Sequence, residues 1–261
     1  MTASIQRLFD LSGQTALVTG SSRGIGKSIA VALAQAGARV VISSESAADC
    51  EAVVAELRAR QLDVFALAAD MSQRPQVQRL TEQLIEQFGG VDILVCNAGV
   101  SIHNGPMHLA SEQDWDTTMN INLRSAHWLC AALIPLMAQR QRGSVVLMSS
   151  LSALRGNRSI GLYSLTKAAL SQLARNLAIE WGPDNVRINA IAPGLIDTDL
   201  AQVFHDNPEL KQRRLAMTPL RRLGHVDEIA ATTLYLASAA GGFVTGQTLV
   251  VDGGTLITDG S

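Results

Sequence analysis

The chain has 261 residues, of which 47% are hydrophobic, and a formal net charge of -2. That apolar content can fill one sizeable core, and so small a charge gives no electrostatic footprint for nucleic acid. Cys50, Cys96 and Cys130 are widely spaced with no CxxC pair, which argues against a disulfide framework or a zinc site, and no stretch has signal-peptide or membrane-span character, so a soluble cytoplasmic protein is expected.

Short β-rich runs alternate with helical patterns along the chain. The run "TALVTG" reads as a strand and "GIGKSIAVALAQAG" as a helix ending at Gly37, followed by the strand "ARVVIS". The helix "AADCEAVVAELRARQ" and the strand "DVFALAAD" come next. From Gln73 to Phe88 a helical period puts Val77, Leu80, Leu84, Ile85 and Phe88 on one face. The strand "VDILVCNAG", a helical segment from about Ser111 to Gln139 and the strand "GSVVLMSS" follow. A helix from about Ile160 to Trp181 leads to the strand "VRINAIAPG". Residues from about Leu195 to Gly224 form an irregular stretch, long enough to be a functional loop. A helix near "VDEIAATTLYLAS" and the strand "QTLVVDGG" close the chain. Apolar strands alternating with helices predict an α/β fold, a single domain built on a doubly wound parallel sheet of about seven strands.

Within that frame "TGSSRGIG" lies between a strand's carboxyl end and a helix N-terminus. Its spacing is G-x-x-x-G-x-G at Gly20, Gly24 and Gly26, neither G-x-G-x-x-G nor a P-loop. Free N–H groups and a partial positive charge there suit a pyrophosphate, although a glycine-rich turn with no ligand has the same sequence. Tyr163 and Lys167 stand four residues apart, on one face of a helix. An ammonium beside a phenol favours the phenolate, which would make Tyr163 a general acid/base nearer neutral pH; a surface Tyr–Lys pair is the plainer alternative. Ser150 ends a strand at the same edge, and Asn122 sits in a helix where Asn is a mediocre helix former. Taken singly, these two read equally as a strand-end hydroxyl and a structural amide.

Together these residues closely resemble the short-chain dehydrogenase/reductase family. "TGSSRGIG" matches its cofactor loop, and "CNAG" (Cys96 to Gly99) its strand-four motif, usually NNAG. Asn122, Ser150, Tyr163 and Lys167 match its catalytic tetrad, and "PG" at Pro193–Gly194 and "DGG" at Asp252–Gly254 its later landmarks. The resemblance implies a Rossmann fold and an NAD(P)-dependent oxidoreductase that interconverts a carbonyl and a secondary alcohol. It places the pyrophosphate against Gly20, Ser22, Arg23, Gly24, Ile25 and Gly26, and Ser44 at the end of the second strand. Asp70 and Met71 would meet the adenine, and Asn97, Ala98 and Gly99 would support the adenosine side. Tyr163 and Lys167 would reach the nicotinamide ribose, and Pro193, Gly194 and Thr198 the nicotinamide. Tyr163 would pass the proton, Ser150 orient the reacting oxygen, Lys167 lower the phenol pKa and Asn122 hold a water. No metal is implied.

The resemblance further implies a homotetramer packed through "FVTGQTLVVDGG" and the two long helices. A catalytically idle nucleotide sensor or an interaction protein on the same fold is the alternative, against which the tetrad speaks. Cofactor choice divides. Ser44 stands where NAD-preferring sites carry an acid, and Arg23 could meet a 2′-phosphate, which favours NADP(H); the adjacent Glu45 leaves NAD(H) possible. Oxoacyl thioesters, sugars or polyols, and small ketones or alcohols all stay open as the small-molecule substrate. Neither a nucleic-acid nor a membrane partner is expected. His103 reads as a solvated loop histidine, and the clusters Lys211–Arg214 and Leu220–Arg222 as a solvated or subunit-contact face sooner than an anion site. Cys96 reads as a small buried residue that packs.

Overall fold

β-Branched and apolar runs pair into one sheet in the computed structural model, which describes residues 4–198 and 207–258. The strands are β1 (Thr15–Thr19), β2 (Arg39–Ser43), β3 (Val64–Ala66), β4 (Ile93–Cys96), β5 (Gly143–Met148), β6 (Val186–Pro193) and β7 (Thr248–Val251). All pairings are parallel, in the order β3-β2-β1-β4-β5-β6-β7. The order reverses between β1 and β4, and that crevice is where open α/β sheets bind ligands.

Period-two alternation decides which side chain enters which layer. Ala16, Val18, Val40 and Ile42 point to one face, where they pack with Ile29 and Leu33 of α2 (Gly24–Gln35), Leu57 of α3 (Ala47–Ala59), and Ile229 and Leu236 of a late helix, Val226–Ala237. Leu17 and Val41 point to the other face. There they meet Leu84 of α4 (Arg74–Phe88), Leu129 and Leu133 of Ser125–Gln139, and Leu170 of Gly161–Trp181. A fully buried Leu or Ile stabilises by about 1.5–3 kcal/mol over its exposed state, so these two layers are the main source of stability. The short helix α1 (Ile5–Leu8) buries none of its residues.

Four features differ from those read in the sequence. The regular strand in "DVFALAAD" is only Val64–Ala66, although the chain stays beside β2 beyond it, Leu67 N donating to Ile42 O at 3.0 Å and Ala69 N to Ser44 O at 2.9 Å. Ile85 is 41% exposed, at the rim of the stripe that buries Val77, Leu80 and Leu84. The segment 111–139 is interrupted: α5 (Glu112–Met119), begun by a Ser111–Asp114 capping box, passes through a π-helical turn at Asn120–Arg124 into α6 (Ser125–Gln139). α7 is Gly161–Trp181, close to expectation. The stretch 195–224 is not irregular throughout. It carries α8 (Pro208–Ala216), capped by Asn207 Oδ1 on the Leu210 N–H at 3.0 Å, while 199–206 lie outside the described residues. α9 is Val226–Ala237.

Candidate active site

The glycine loop leaves β1 through Gly20, at φ +62°, and enters α2 at Gly24, at φ +54°. Only glycine adopts both angles without strain. Space is restricted as well. A Cβ on Gly26 would stand 2.1 Å from the Gly20 carbonyl oxygen, and one on Gly20 would stand 2.9 Å from Ala98 Cα. The loop is tied down on two sides. Ser21 Oγ donates to Val18 O at 2.6 Å and accepts from Ser43 N at 2.9 Å, which joins it to β2. Asn97 Nδ2 donates to Thr19 O at 2.9 Å and Gly20 O at 3.0 Å, which joins it to β4. Thr19 Oγ1 accepts from the Asn97 and Ala98 amides, each at 3.1 Å. Asn97 thus acts on the loop, and Thr19 and Ser21, which sequence reading passed over, complete its anchoring.

α2 begins without a side-chain cap and without an acidic residue in its first turn, so its first N–H groups and the dipole face the crevice. Arg23, at the N-cap, is exposed; so is Glu45 at the end of β2. Ser22 and Ile25 are half-buried in the loop. Thr198 closes over it, its Cγ2 only 3.7 Å from where a Cβ of Gly24 would be. On the adenosine side, Asp70 Oδ1 accepts from the Ser72 amide at 2.8 Å, and Met71 is buried. Ser44 departs from expectation. It is 4% exposed and its hydroxyl is engaged inward, 3.2 Å from Cys50 Sγ and 3.3 Å from Ser46 O. The side chain fills the β2–α3 turn.

Ser150 follows β5, and Tyr163 and Lys167 project from one face of α7. The Ser150 hydroxyl is positioned by Ser152, whose N–H and Oγ–H donate to it at 3.2 and 3.0 Å. The Tyr163 phenol lies close enough for this hydroxyl to lower its pKa. Lys167 Nζ lies 5.3 Å from the centre of the Tyr163 ring, donates to Met148 O at 2.8 Å, and is 2% exposed. Ser149 Oγ donates to Lys167 O at 2.7 Å, fixing α7 against β5 at this point. Gly99 has to be small, since a Cβ there would sit 3.0 Å from Lys167 Nζ. Pro193 and Gly194 end β6 alongside, the Gly194 amide donating to Val251 O at 2.9 Å.

Electrostatics here differ from the sequence expectation. Burial pushes the Tyr163 phenol above its ordinary value, and the nearby Ser150 hydroxyl pulls only partly back. Lys167 is not among the groups that shift it. Its own ammonium is destabilised by burial and titrates at about 8, with Cys96 as a minor opposing influence. Cys96 is itself buried against Cys130, and that contact together with burial holds its thiol well above the ordinary value, in keeping with an inert packing residue.

Asn122 also has a different local role. Its amide closes a pair of bonds with the Val100 backbone, Oδ1 accepting from N–H and Nδ2 donating to C=O, both at 2.8 Å. Nδ2 further donates to Thr166 Oγ1 at 3.1 Å. An amide so engaged locks the π-helical turn to the strand-four loop. His103 Nε2 is 3.0 Å from Pro106 O, and Nδ1 is 3.8 Å from Asp114, so it is a loop histidine but not a solvated one, its side chain being only 11% exposed. Arg222 pairs with Glu228 at 2.6 Å. Among the described residues no group of three metal-ligating side chains occurs, and no helix is long and apolar enough to cross a membrane.

A family model described as enoyl-(acyl carrier protein) reductase matches residues 20–255. The chain is 37% identical to dehydrogenase/reductase SDR family member 4 of Bos taurus over 246 residues, 94% of this chain and 88% of the relative. The chain belongs to the short-chain dehydrogenase/reductase family. Among solved structures it resembles a gluconate 5-dehydrogenase from Burkholderia cenocepacia J2315 in complex with NADP and tartrate. The TM-score is 0.93 at 31% identity, over 98% of this chain and 100% of the other. A 3-oxoacyl (acyl-carrier-protein) reductase from Agrobacterium tumefaciens C58 with NADP bound has a TM-score of 0.91 at 35% identity, over 96% and 97% of the two chains. As a member of this family the protein is an NAD(P)-dependent oxidoreductase. The residues present fit a nicotinamide dinucleotide, because the uncapped start of α2 and the two left-handed glycines form a cradle that a Cβ at Gly20 or Gly26 would distort.

Proposed function

We propose that the protein reduces a carbonyl to a secondary alcohol, and catalyses the reverse, with Tyr163 as general acid/base. The observation that carries this is the convergence of Ser150, Tyr163 and Lys167 at the carboxyl edge of the sheet, with the Lys167 ammonium 5.3 Å from the centre of the Tyr163 ring. A bound nicotinamide dinucleotide supplies or accepts the hydride. The chain's own residues handle the charge that develops on the carbonyl oxygen. Ser150 donates a hydrogen bond to that oxygen, its own position fixed by Ser152. Tyr163 donates the proton. A phenol pKa above the ordinary value keeps Tyr163 protonated at neutral pH, so it stands ready as the acid for reduction. Reduction should therefore be flat through neutral pH and fall on the alkaline side, while oxidation rises with pH. Gly20 to Gly26 hold the pyrophosphate, Asp70 the adenine, Lys167 the nicotinamide ribose, and Thr198 the carboxamide. Asn122 positions Lys167 through the strand-four loop and gives no side-chain ligand of its own.

NADP(H) is the proposed cofactor, supported by the exposed Arg23 at the loop, the absence of an acid at Ser44, and the NADP in the two structures above. A homotetramer is the proposed assembly. Val250 of the edge strand β7 is 39% exposed, and Phe243 and Ile257 near it are more so, as is Ile179 of α7. Light scattering at micromolar concentration should give four times the chain mass, and a monomer would refute it.

Tyr163→Phe tests the mechanism. The ring and its packing stay and only the hydroxyl is lost. Turnover should fall by about 10²–10⁴-fold with dinucleotide affinity nearly unchanged. Retention of more than about a tenth of the rate would remove Tyr163 from the proton path.

A further inference from the structure

The bonds that hold Ser150 in place also decide which way it can act. A serine hydroxyl has one proton to give and two lone pairs to accept with. Ser150 has an extended backbone just past β5, and its Oγ turns back as the N-cap of the 3₁₀ turn Leu151–Ala153. There it accepts from the Ser152 N–H at 3.2 Å and from the Ser152 Oγ–H at 3.0 Å. Both lone pairs are then filled. The O–H proton is the one capacity left, and Ser150 lines the cavity beyond the carboxyl ends of β5 and β6 together with Pro193 and Gly194.

The frame around the two hydroxyls is rigid. Ser152 is 8% exposed, so water competes little for its hydroxyl. The Ala153 amide donates to Ser150 O at 3.0 Å and closes the turn. Ser149, one residue earlier, is tied to β6 and α7, its N–H donating to Ile191 O and its Oγ to Lys167 O, each at 2.7 Å. The opposite polarity would work against the chemistry. With a free lone pair, Ser150 could accept from the Tyr163 phenol, which stabilises the neutral phenol and turns its proton away from a substrate. A Ser150 that can only donate stabilises the phenolate instead. Ser150 lowers the phenol against the effect of burial, and that is the direction a donor gives.

We propose that Ser152 is a positioning residue that makes Ser150 an obligate hydrogen-bond donor, toward the reacting oxygen and toward the ionised Tyr163 phenol. This rests on the oxidoreductase reading above and adds a residue to it. In alcohol oxidation the carbinol oxygen accepts from Ser150, its proton passes to the Tyr163 phenolate, and the hydride goes to the oxidised dinucleotide. An accepting Ser150 would hold that proton in an unproductive bond.

The test compares the full-length protein with Ser152→Ala, Ser152→Thr, Ser150→Ala and the Ser150→Ala/Ser152→Ala double variant. Ethyl acetoacetate, 2,3-butanedione and fructose serve as carbonyl probes, and 1,3-butanediol and sorbitol as alcohol probes, with NADP(H) and NAD(H). Ser152→Ala should lower kcat about 3–10-fold, the size of one neutral hydrogen bond, with KM and dinucleotide affinity within twofold. The midpoint of the alkaline rise in alcohol oxidation should move up by about half a unit to one unit, because Ser150 regains a lone pair for the neutral phenol. Lys167 Nζ, 5.3 Å from the centre of the same ring, is left in place in every variant. Ser152→Thr keeps the hydroxyl and should restore kcat to within twofold. In the Ser150→Ala background the second substitution should change nothing, since Ser152 acts only through Ser150.

A Ser152→Ala loss of equal size with and without Ser150, an unmoved midpoint, or a wild-type kcat overturns the proposal and leaves the oxidoreductase reading standing. A substrate-free arm titrates tyrosinate absorbance in the Tyr235→Phe background, where Tyr163 is the one tyrosine of the chain. Its midpoint should rise in Ser152→Ala and in Ser150→Ala, with no further rise in the double variant. That result with no turnover of any probe would sink the oxidoreductase reading and keep the assignment of Ser152.

Discussion

The two edges of the sheet treat positive charge in opposite ways. At the amino edge every cation that packs on the strands has a partner. Asp92, just before β4, is 7% exposed, accepts from the Thr15 amide at 2.9 Å and pairs with Arg142 at 2.9 Å. Arg140 donates to Gly89 O and Val91 O at 2.8 and 2.6 Å. Arg187, in β6, donates to Leu236 O and Gly241 O at 2.6 and 2.9 Å, capping the end of α9. At the carboxyl edge, Lys167 is buried against the Met148 carbonyl and the Tyr163 ring, neither of which carries a charge. Charge paired inside the chain stabilises the fold. A cation buried against neutral groups costs stability, and that difference separates structural from functional cations more sharply than exposure does.

Replacing Lys167 is the strongest way to break this contrast. Lys167→Met should lower turnover at least about 100-fold, by the roles proposed for the ammonium. Stability should respond in the opposite sense. The folded chain releases the Lys167 proton at about 8, the unfolded chain at about 10.5. A charged Lys167 therefore costs the folded state about 3 kcal/mol, against about 1–3 kcal/mol for leaving the Met148 carbonyl without its donor. The folded pKa is depressed, so the cost is fully present below about 8 and gone above about 10.5. The Tm of Lys167→Met at pH 7 should match or exceed the wild type, and the margin should shrink as pH rises through that window. A clear loss of Tm at pH 7 would mean that Lys167 is a structural cation like those of the amino edge.

Asp92→Ala makes the converse comparison. It leaves the Thr15 amide without its acceptor and removes the partner of Arg142, so stability should fall by about 2–3 kcal/mol. Tm should drop by roughly 4–10 °C in a domain of this size, with kcat/KM of the remaining folded protein unchanged. A loss of kcat/KM beyond twofold would show that the two edges are coupled.

Much of this was legible in the sequence because short-range physics determines it. Strand alternation, the glycines that need left-handed angles, and the four-residue step from Tyr163 to Lys167 are local patterns, and they reappear as the layers, the loop and the paired side chains of α7. What was not legible depends on contacts between distant segments. The π-helical turn is set by Asn122 reaching Val100, 22 residues away, and no periodicity records that bond. Ser44 looked like a cofactor contact from its place at the end of β2, but the turn into α3 rotates its hydroxyl onto Cys50. The phenol pKa depends on burial, which sequence spacing does not report. Thr218 looked like part of an irregular stretch, and only its hydroxyl contact with Thr255, 37 residues away, ties the turn after α8 to the segment after β7.

The smallest effect concerns an exposed pair at the carboxyl edge, Arg23 and Glu45, where solvent weakens both charges. An arginine–phosphate hydrogen bond is charge-assisted and contributes about 1.5–3 kcal/mol when dry, so at this exposed position about tenfold is a fair expectation. The wild type should have a higher kcat/KM for NADP(H) than for NAD(H). Arg23→Met should cut the ratio about tenfold, because the 2′-phosphate loses its cation while the ribose hydroxyl of NAD(H) loses little. Glu45→Gln should raise the ratio only about threefold, since an exposed carboxylate repels a phosphate through water. Both shifts should shrink at 0.5 M salt, as screening requires. A wild-type preference for NAD(H) beyond tenfold would reverse the assignment. Glu45 would then be the residue that holds the 2′-hydroxyl, and Glu45→Arg, rather than any change at Arg23, would turn the enzyme toward NADP(H).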